Sequence, residues 1–345
     1  MSSAKQVISN AFESSALERL TSLLSHNGIK NREVIALTPD ASTRKYFRVG
    51  WKKGTAVAAV YPEPFDPEFH PYLDITNLFL KCDIPVPEIY AVDGPGGVII
   101  QEDLGDKQLF QVFEDEPEEQ CEEYKEQAIS LIARIQKTTE TAREMNSIAS
   151  RLAFDEAKLG WELDFFFEHY FGSLRKETFS HAESAELKAE LNDIAAELAA
   201  VPRVLCHRDY HGANLMLDSK NRLRIVDHQD ARMGPASYDL VSFLLDRQPN
   251  PPSLAELRDF RLFFLEERRK IGLDILDPDE FAREFRLMAI QRGLKATGTF
   301  SYQTAVAGRG AFYESYIRPT LQIVLQSAMW LDRFPALQRI LKARI

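Results

Sequence analysis

Asp209, Asn214 and Asp227 are the residues whose types and spacing could do chemistry together. They lie in the stretch 203–240, RVLCHRDYHGANLMLDSKNRLRIVDHQDARMGPASYDL. Val204, Leu205 and Cys206 form a short apolar run that predicts a buried strand, and His207, Arg208 and Asp209 stand where that strand ends. Leu215 and Met216, just after Asn214, open a second apolar run. After a turn at 218–221, Leu223, Ile225 and Val226 make a third run that ends at Asp227. A strand, a polar loop and a hairpin would thus deliver a carboxylate, an amide and a second carboxylate. Phosphoryl transfer from ATP needs this set: one carboxylate accepts the acceptor hydroxyl's proton, while the amide and the other carboxylate hold Mg²⁺. Asp209 is then the base, and Asn214 and Asp227 are the metal ligands. The competing reading makes all three turn residues of a β-meander. Their order, each at a strand or hairpin end, weighs against it.

The elements that must position these groups are also legible. A helix is expected over 5–25, then a strand at 35–37, then a strand–turn–strand around 40–49. Ser42, Thr43, Arg44 and Lys45 in that turn form either a phosphate-facing loop or an exposed turn. The next strand, TAVAAVY at 55–61, lacks the lysine that kinases use on the ATP phosphates, so Arg44 or Lys45 would have to supply the charge. A helix at 69–81 precedes strands leading into 89–90 and 98–102, joined by a turn at 94–97. Glu102, Asp103, Leu104 and Gly105 end the last strand, and backbone groups around Glu102 and Leu104 are candidates for holding adenine. From residue 106 onward helical patterns dominate: 118–137, 154–172, 183–199, 236–246, 253–271, 278–296, 311–330 and 335–343.

The loop His207-Arg208-Asp209-Tyr210-His211-Gly212-Ala213-Asn214-Leu215-Met216 resembles that of the aminoglycoside phosphotransferase and choline kinase superfamily, H-x-D-x-x-x-x-N-hydrophobic. Protein kinases usually carry Asp-Phe-Gly at the second site, where this chain has Asp227-His228-Gln229-Asp230. Gly234-Pro235-x-x-Tyr238-Asp239-Leu240 is also similar to that superfamily. The resemblance implies an α+β, two-lobed protein-kinase-like fold: a small β-rich N-lobe at 1–103 and a larger, mostly helical C-lobe at 104–345. It implies ATP and Mg²⁺ as cofactors, and His207 and Asp239 as supports of the catalytic loop.

Within the superfamily, four segments look most similar to bacterial anomeric sugar kinases acting on N-acetylmuramate or N-acetylglucosamine at C1. They are Asp40–Arg48, Glu102–Asp106, Ile225–Ala231 and the pattern Gln291-Arg292-x-Leu294-Lys295-x-x-Gly298-x-Phe300. That group also tends to lack the strand lysine; His228 departs from its Phe. The resemblance implies phosphorylation of an amino sugar's anomeric hydroxyl, in cell-wall sugar recycling. Glu162, Asp230 and Arg292 are candidate sugar contacts. The competing readings are an aminoglycoside or choline-like phosphotransferase and a non-catalytic ATP-binding regulator.

Composition bounds the rest. The 345 residues are 45% hydrophobic and 27% charged, with a net charge of −10. That range is globular, and without a long basic run it disfavours nucleic-acid partners. The first residues lack a signal-peptide core, and no apolar stretch reaches the roughly 18 residues of a membrane span. Three scattered cysteines, Cys82, Cys121 and Cys206, suggest a reducing compartment. The expectation is a cytoplasmic enzyme.

Overall fold

The computed structural model describes residues 15–30, 33–37, 43–52, 54–247 and 252–345. The chain divides into two compact units, Met1–Gln108 with Met216–Gln229, and Leu109–Leu215 with Asp230–Ile345. The sequence reading draws one boundary, between 103 and 104. The first unit also takes in Met216–Gln229, because that segment is tied to it by hydrogen bonds. Leu217 N–H donates to the Lys107 carbonyl (2.8 Å), and Ile225 N–H to that of Pro85 (2.9 Å).

The first unit is built on an antiparallel sheet of β1 (Val34–Leu37), β2 (Lys45–Trp51), β3 (Gly54–Val60), β4 (Ile89–Asp93) and β5 (Val98–Glu102), in the order β1-β2-β3-β5-β4. Side chains alternate across a sheet. Phe47, Val49, Trp51, Ala56, Ala58, Val60, Val98 and Ile100 therefore share one face, and they pack with Ala16, Leu20, Leu23 and Leu24 of helix α1, residues 15–26. The earlier part of the expected 5–25 helix lies outside the described residues, as does Ser42. Ala59 and Ile99, on the opposite face, are buried as well. The unit also contains α2 (Pro71–Lys81), which buries Tyr72, Ile75, Leu78 and Phe79. The short strands β7 (Leu215–Leu217) and β8 (Leu223–Ile225) pair as the expected hairpin.

In the second unit β6 (Arg203–Cys206) pairs antiparallel with β9 (Arg232–Pro235). Both ends of the stretch around Asp209 are thereby anchored. Around this pair stand helices α3 (Leu109–Asp115), α4 (Glu118–Lys137), α5 (Thr139–Glu144), α6 (Ile148–Arg151), α7 (Glu156–Phe166), α8 (His181–Ala200), α9 (Tyr238–Leu245), α10 (Leu254–Lys270), α11 (Pro278–Ala305), α12 (Gly310–Leu331) and α13 (Pro335–Lys342). α8 and α10 begin with capping boxes, Ser180 with Glu183 and Ser253 with Glu256, which satisfy backbone donors at the helix start. α7 continues as a π-helical turn, Phe167–Arg175. α11 is buried along most of its length, and residues 285–294 are buried without a break. A Cβ at Gly298 would lie 2.7 Å from the Phe166 Cα, so glycine is what lets α7 and α11 approach here. The α+β class expected from the sequence is the one observed, an antiparallel sheet with a mostly helical remainder. Among the described residues no helix is long and apolar enough to cross a membrane.

Candidate functional site

The loop that follows β6 is held in place residue by residue. Arg208 has φ +85°. A non-glycine residue in that region is strained and persists only when its surroundings over-determine it. Here they do. The Arg208 N–H donates to Asp239 Oδ1 (3.0 Å), its carbonyl accepts from the Arg292 guanidinium (2.9 Å), and its own guanidinium lies 2.8 Å from Asp230 Oδ2. Asp239 also accepts the His207 N–H at 2.6 Å. It sits fully buried in the first turn of α9, where the helix dipole favours a carboxylate. Burial nonetheless pushes its pKa up, against the His207 and Arg208 N–H donors. The Tyr210 hydroxyl donates to the Ala128 carbonyl on α4 at 2.8 Å. At Gly212 a Cβ would stand only 3.0–3.2 Å from Phe110. Asn214 Nδ2 donates to the Asp209 carbonyl (2.8 Å), which fixes the orientation of the amide.

Asp209 itself lies between cations. Lys295 Nζ is 3.6 Å from its Oδ1 and Arg208 is 3.5 Å from its Oδ2. Burial pushes the carboxyl pKa up, but Lys295, Arg208 and Arg292 outweigh it and hold it well below the usual carboxylate range. Asp209 is therefore ionised at neutral pH and is a weak base. His211 beside it is driven down to about 4, first by burial and then by Arg247, so its imidazole is neutral.

The residues expected at the sugar have different placements. Asp230 keeps 46% of its side chain exposed and pairs with Arg208. Glu162 is 2% exposed, accepts from Gln291 Nε2 (2.9 Å) and lies 3.7 Å from Lys158 Nζ. Arg292, expected to touch the sugar, is instead buried: its guanidinium pairs with Asp246, bonds the Arg208 carbonyl and lies 4.5 Å from the Tyr238 ring centroid. Its observed contacts hold the strained loop.

The second cluster, in the first unit, surrounds Asp227, which is also left-handed at φ +62°. Its Oδ1 accepts from Gln229 Nε2 (2.7 Å) and lies 3.7 Å from Arg44. The Arg44 guanidinium is 5.6 Å from the Tyr46 ring and 5.7 Å from that of Tyr61. Thr43 precedes it, and Lys45 opens β2 opposite Val60. His228, next to Asp227, is fully buried. Its ring stacks on Tyr72 (4.7 Å), packs near Phe79 (5.6 Å) and shares a 2.6 Å hydrogen bond with Thr76. It occupies its place as an aromatic would, with one polar tether to α2. Glu102 is clasped by Arg224 at 2.9 and 2.5 Å, and its N–H donates to Glu88. Arg224 also bonds the Val86 carbonyl. Leu104 is buried, and Arg48 ties Asp103 to Asp106 through four hydrogen bonds.

Among the described residues no group of three or more His, Cys, Asp or Glu side chains is arranged to hold a metal. Asn214 in one unit and Asp227 in the other each carry a hard side-chain oxygen. Either oxygen type suits Mg²⁺, which keeps several waters and takes one or two protein ligands together with phosphate. Lys295, which sequence reasoning did not single out as a site residue, is the main addition. Its only signal was its place in the 291–300 pattern.

Comparison with known proteins follows the same line. Residues 33–271 match the phosphotransferase enzyme family. An N-acetylmuramate/N-acetylglucosamine kinase of Neisseria meningitidis serogroup B is 28% identical over 263 residues, 76% of each chain. One from Pseudomonas aeruginosa is 29% identical over 275 residues, 78% of this chain and 76% of that one. Among solved structures, the fold is similar to choline kinase from Cryptosporidium parvum Iowa II (TM-score 0.61, 12% identity, covering 94% of this chain and 99% of that one). It is also similar to Plasmodium vivax ethanolamine kinase (TM-score 0.56, 15% identity, 90% and 86%). The chain belongs to the phosphotransferase enzyme family.

Proposed function

We propose that this phosphotransferase moves the γ-phosphoryl group of ATP to the anomeric hydroxyl of an N-acetylated amino sugar. The observation that carries the reading is the setting of Asp209, an ionised, weakly basic carboxylate with Lys295 and Arg208 against its two oxygens. An anomeric hydroxyl is more acidic than an ordinary alcohol, so a weak base placed within hydrogen-bond reach suffices. Asp209 orients that hydroxyl and takes its proton. Arg208, fixed by Asp239 and Arg292, keeps the base in place. Asn214 and Asp227 would hold Mg²⁺, which when bound neutralises charge on the phosphates. Arg44 and Lys45 would supply positive charge to the phosphates in a chain whose β3 carries no lysine. Thr43 stands beside them, and the segment around Glu102 and Leu104 would receive the adenine.

The names of the relatives support the acceptor class. So does charge: Lys158, Arg208, Arg232 and Lys295 interact in the unit that carries Asp209, an unfavourable setting for a polycationic aminoglycoside or for choline. Recycling of cell-wall sugars is the process such a reaction would serve. The test is ATP consumption with N-acetylglucosamine, N-acetylmuramate, their methyl glycosides, kanamycin and choline. Turnover of the free sugars and none of the methyl glycosides is expected, since methylation removes only the anomeric hydroxyl. Turnover of a methyl glycoside, or of kanamycin in preference to both sugars, would refute the assignment.

A further inference from the structure

Two helices, α11 and α7, carry paired polar groups away from Asp209. Lys295 Nζ faces the carboxylate at 3.6 Å. One turn back on α11, Gln291 donates to the buried Glu162 of α7 (2.9 Å). One turn back again on α7, Lys158 Nζ lies 3.7 Å from Glu162 Oε1. Residues four apart on a helix are neighbours on one face, so each step is short. Lys158 also lies 4.0 Å from the ring centroid of Trp161, whose side chain is 57% exposed. A lysine is normally kept in bulk water by its flexible stem. This one is held on both sides, retains only 25% exposure, and ends beside an open indole.

We propose that Lys158, anchored by Glu162 and seated on Trp161, forms a carboxylate-binding subsite that selects acidic over neutral amino sugars as acceptors. The inference rests on the sugar-kinase reading and names residues for one part of its substrate. Local charge favours it: Lys158, Arg208, Arg232 and Lys295 are set against Glu162, Asp209 and Asp230. Four cations thus face three carboxylates in a chain whose net charge is −10. Burial acts most strongly against the charged ammonium; Glu162 offsets part of it, and Arg208, Arg232 and Lys295 add to the burial effect. A ligand carboxylate would complete the compensation. The exposed Trp161 face offers an apolar surface to the sugar ring or to the carbon chain that bears the acid.

The experiment compares three acceptors that differ in one feature at a time: N-acetylmuramate, its methyl ester and N-acetylglucosamine. Steady-state kcat and KM are measured for the wild type, Lys158→Met and Lys158→Arg. The wild type should favour the acid over its ester. Lys158→Met should raise KM for the acid about tenfold, the scale of one partly buried charge pair. The same variant should leave KM for N-acetylglucosamine within about twofold, and Lys158→Arg should restore most of the preference. Equal changes in KM for all three acceptors, or none, would overturn the subsite. A wild type inert to all three would overturn the sugar-kinase reading and the subsite with it. Turnover of N-acetylglucosamine without discrimination between acid and ester would overturn the subsite alone.

Discussion

Lys295 Nζ stands 3.6 Å from Asp209 Oδ1, while Arg208 stands 3.5 Å from the other oxygen. Each oxygen of the proposed base therefore has a cation beside it. An aspartate so placed stays ionised through the physiological range, but it has less affinity for a proton than a free one. The arrangement exchanges basicity for certainty of protonation state and orientation.

The first prediction concerns that pair. Burial pushes the Asp209 carboxyl up, and Lys295 is the largest of the influences that pull it down. A depressed carboxylate supports activity above its folded pKa and loses it as pH falls through that value. In the wild type the acid limb due to Asp209 therefore lies below the ordinary carboxylate range. Lys295→Met should move the limb of kcat/KM to higher pH and lower kcat by about tenfold or more, because a fixed positive charge at the reacting centre is lost. Asp209→Asn should retain nucleotide binding and lose transfer by about a thousandfold or more. Superimposable pH profiles for the wild type and Lys295→Met would remove Lys295 from this role.

A second prediction concerns the other cluster. Asp227 Oδ1 lies 3.7 Å from Arg44, and the two are expected to contribute differently to nucleotide affinity. Asp227→Asn keeps a residue that tolerates φ +62° while removing the charge. It should weaken Mg·ATP binding by about tenfold or more and leave metal-free ATP binding nearly unchanged. Arg44→Met should weaken both, because the loss is a cation for phosphate rather than a metal ligand. Calorimetric titration with a non-hydrolysable ATP analogue, with and without Mg²⁺, separates the two. Unchanged Mg·ATP affinity in Asp227→Asn would count against the metal assignment.

The strands, the hairpin and the long helices were legible because each rests on local periodicity or turn chemistry. Asp209, Asn214 and Asp227 stand out in the sequence because their spacing is short and each ends an element; their shared role remains the proposal. Lys295 was not, because its relation to Asp209 is made by helix packing and leaves no local pattern. The same holds for the contacts of Arg292 with Asp246 and the Arg208 carbonyl, which join residues far apart in the sequence. His228 reads as a departure from an aromatic position, yet it packs as one, and its bond to Thr76 shows a use for the imidazole that the sequence did not indicate. α11 runs on to Ala305, past its expected end at 296, because Gly298 serves close approach to α7 rather than helix termination. The π-helical turn at Phe167–Arg175 was read as more α-helix, since its aromatic residues suit either.

The last prediction tests the support beneath the base. Asp239 accepts the N–H groups of His207 and Arg208, two consecutive donors that the left-handed turn at Arg208 directs inward. Asp239→Asn preserves shape, but it replaces one acceptor oxygen by an NH₂ group that faces a backbone donor. One buried N–H is then left unsatisfied, at a cost of roughly 1–3 kcal/mol. The turn at Arg208 also loses one of the contacts that hold it. Urea unfolding should show a lower midpoint with an unchanged slope, the sign of a stability change without a change in the denatured state. Transfer should slow as well, because Asp209 follows directly on the residue whose backbone is released. Mg²⁺-dependent nucleotide binding should weaken less than in Asp227→Asn, since Asp227 belongs to the other unit and only Asn214 stands on the loosened loop. An unchanged midpoint together with unchanged kcat would show that Asp239 does not hold the loop. A lowered midpoint with full activity would confine it to stability and leave Arg292 as the residue that sets the Arg208 backbone.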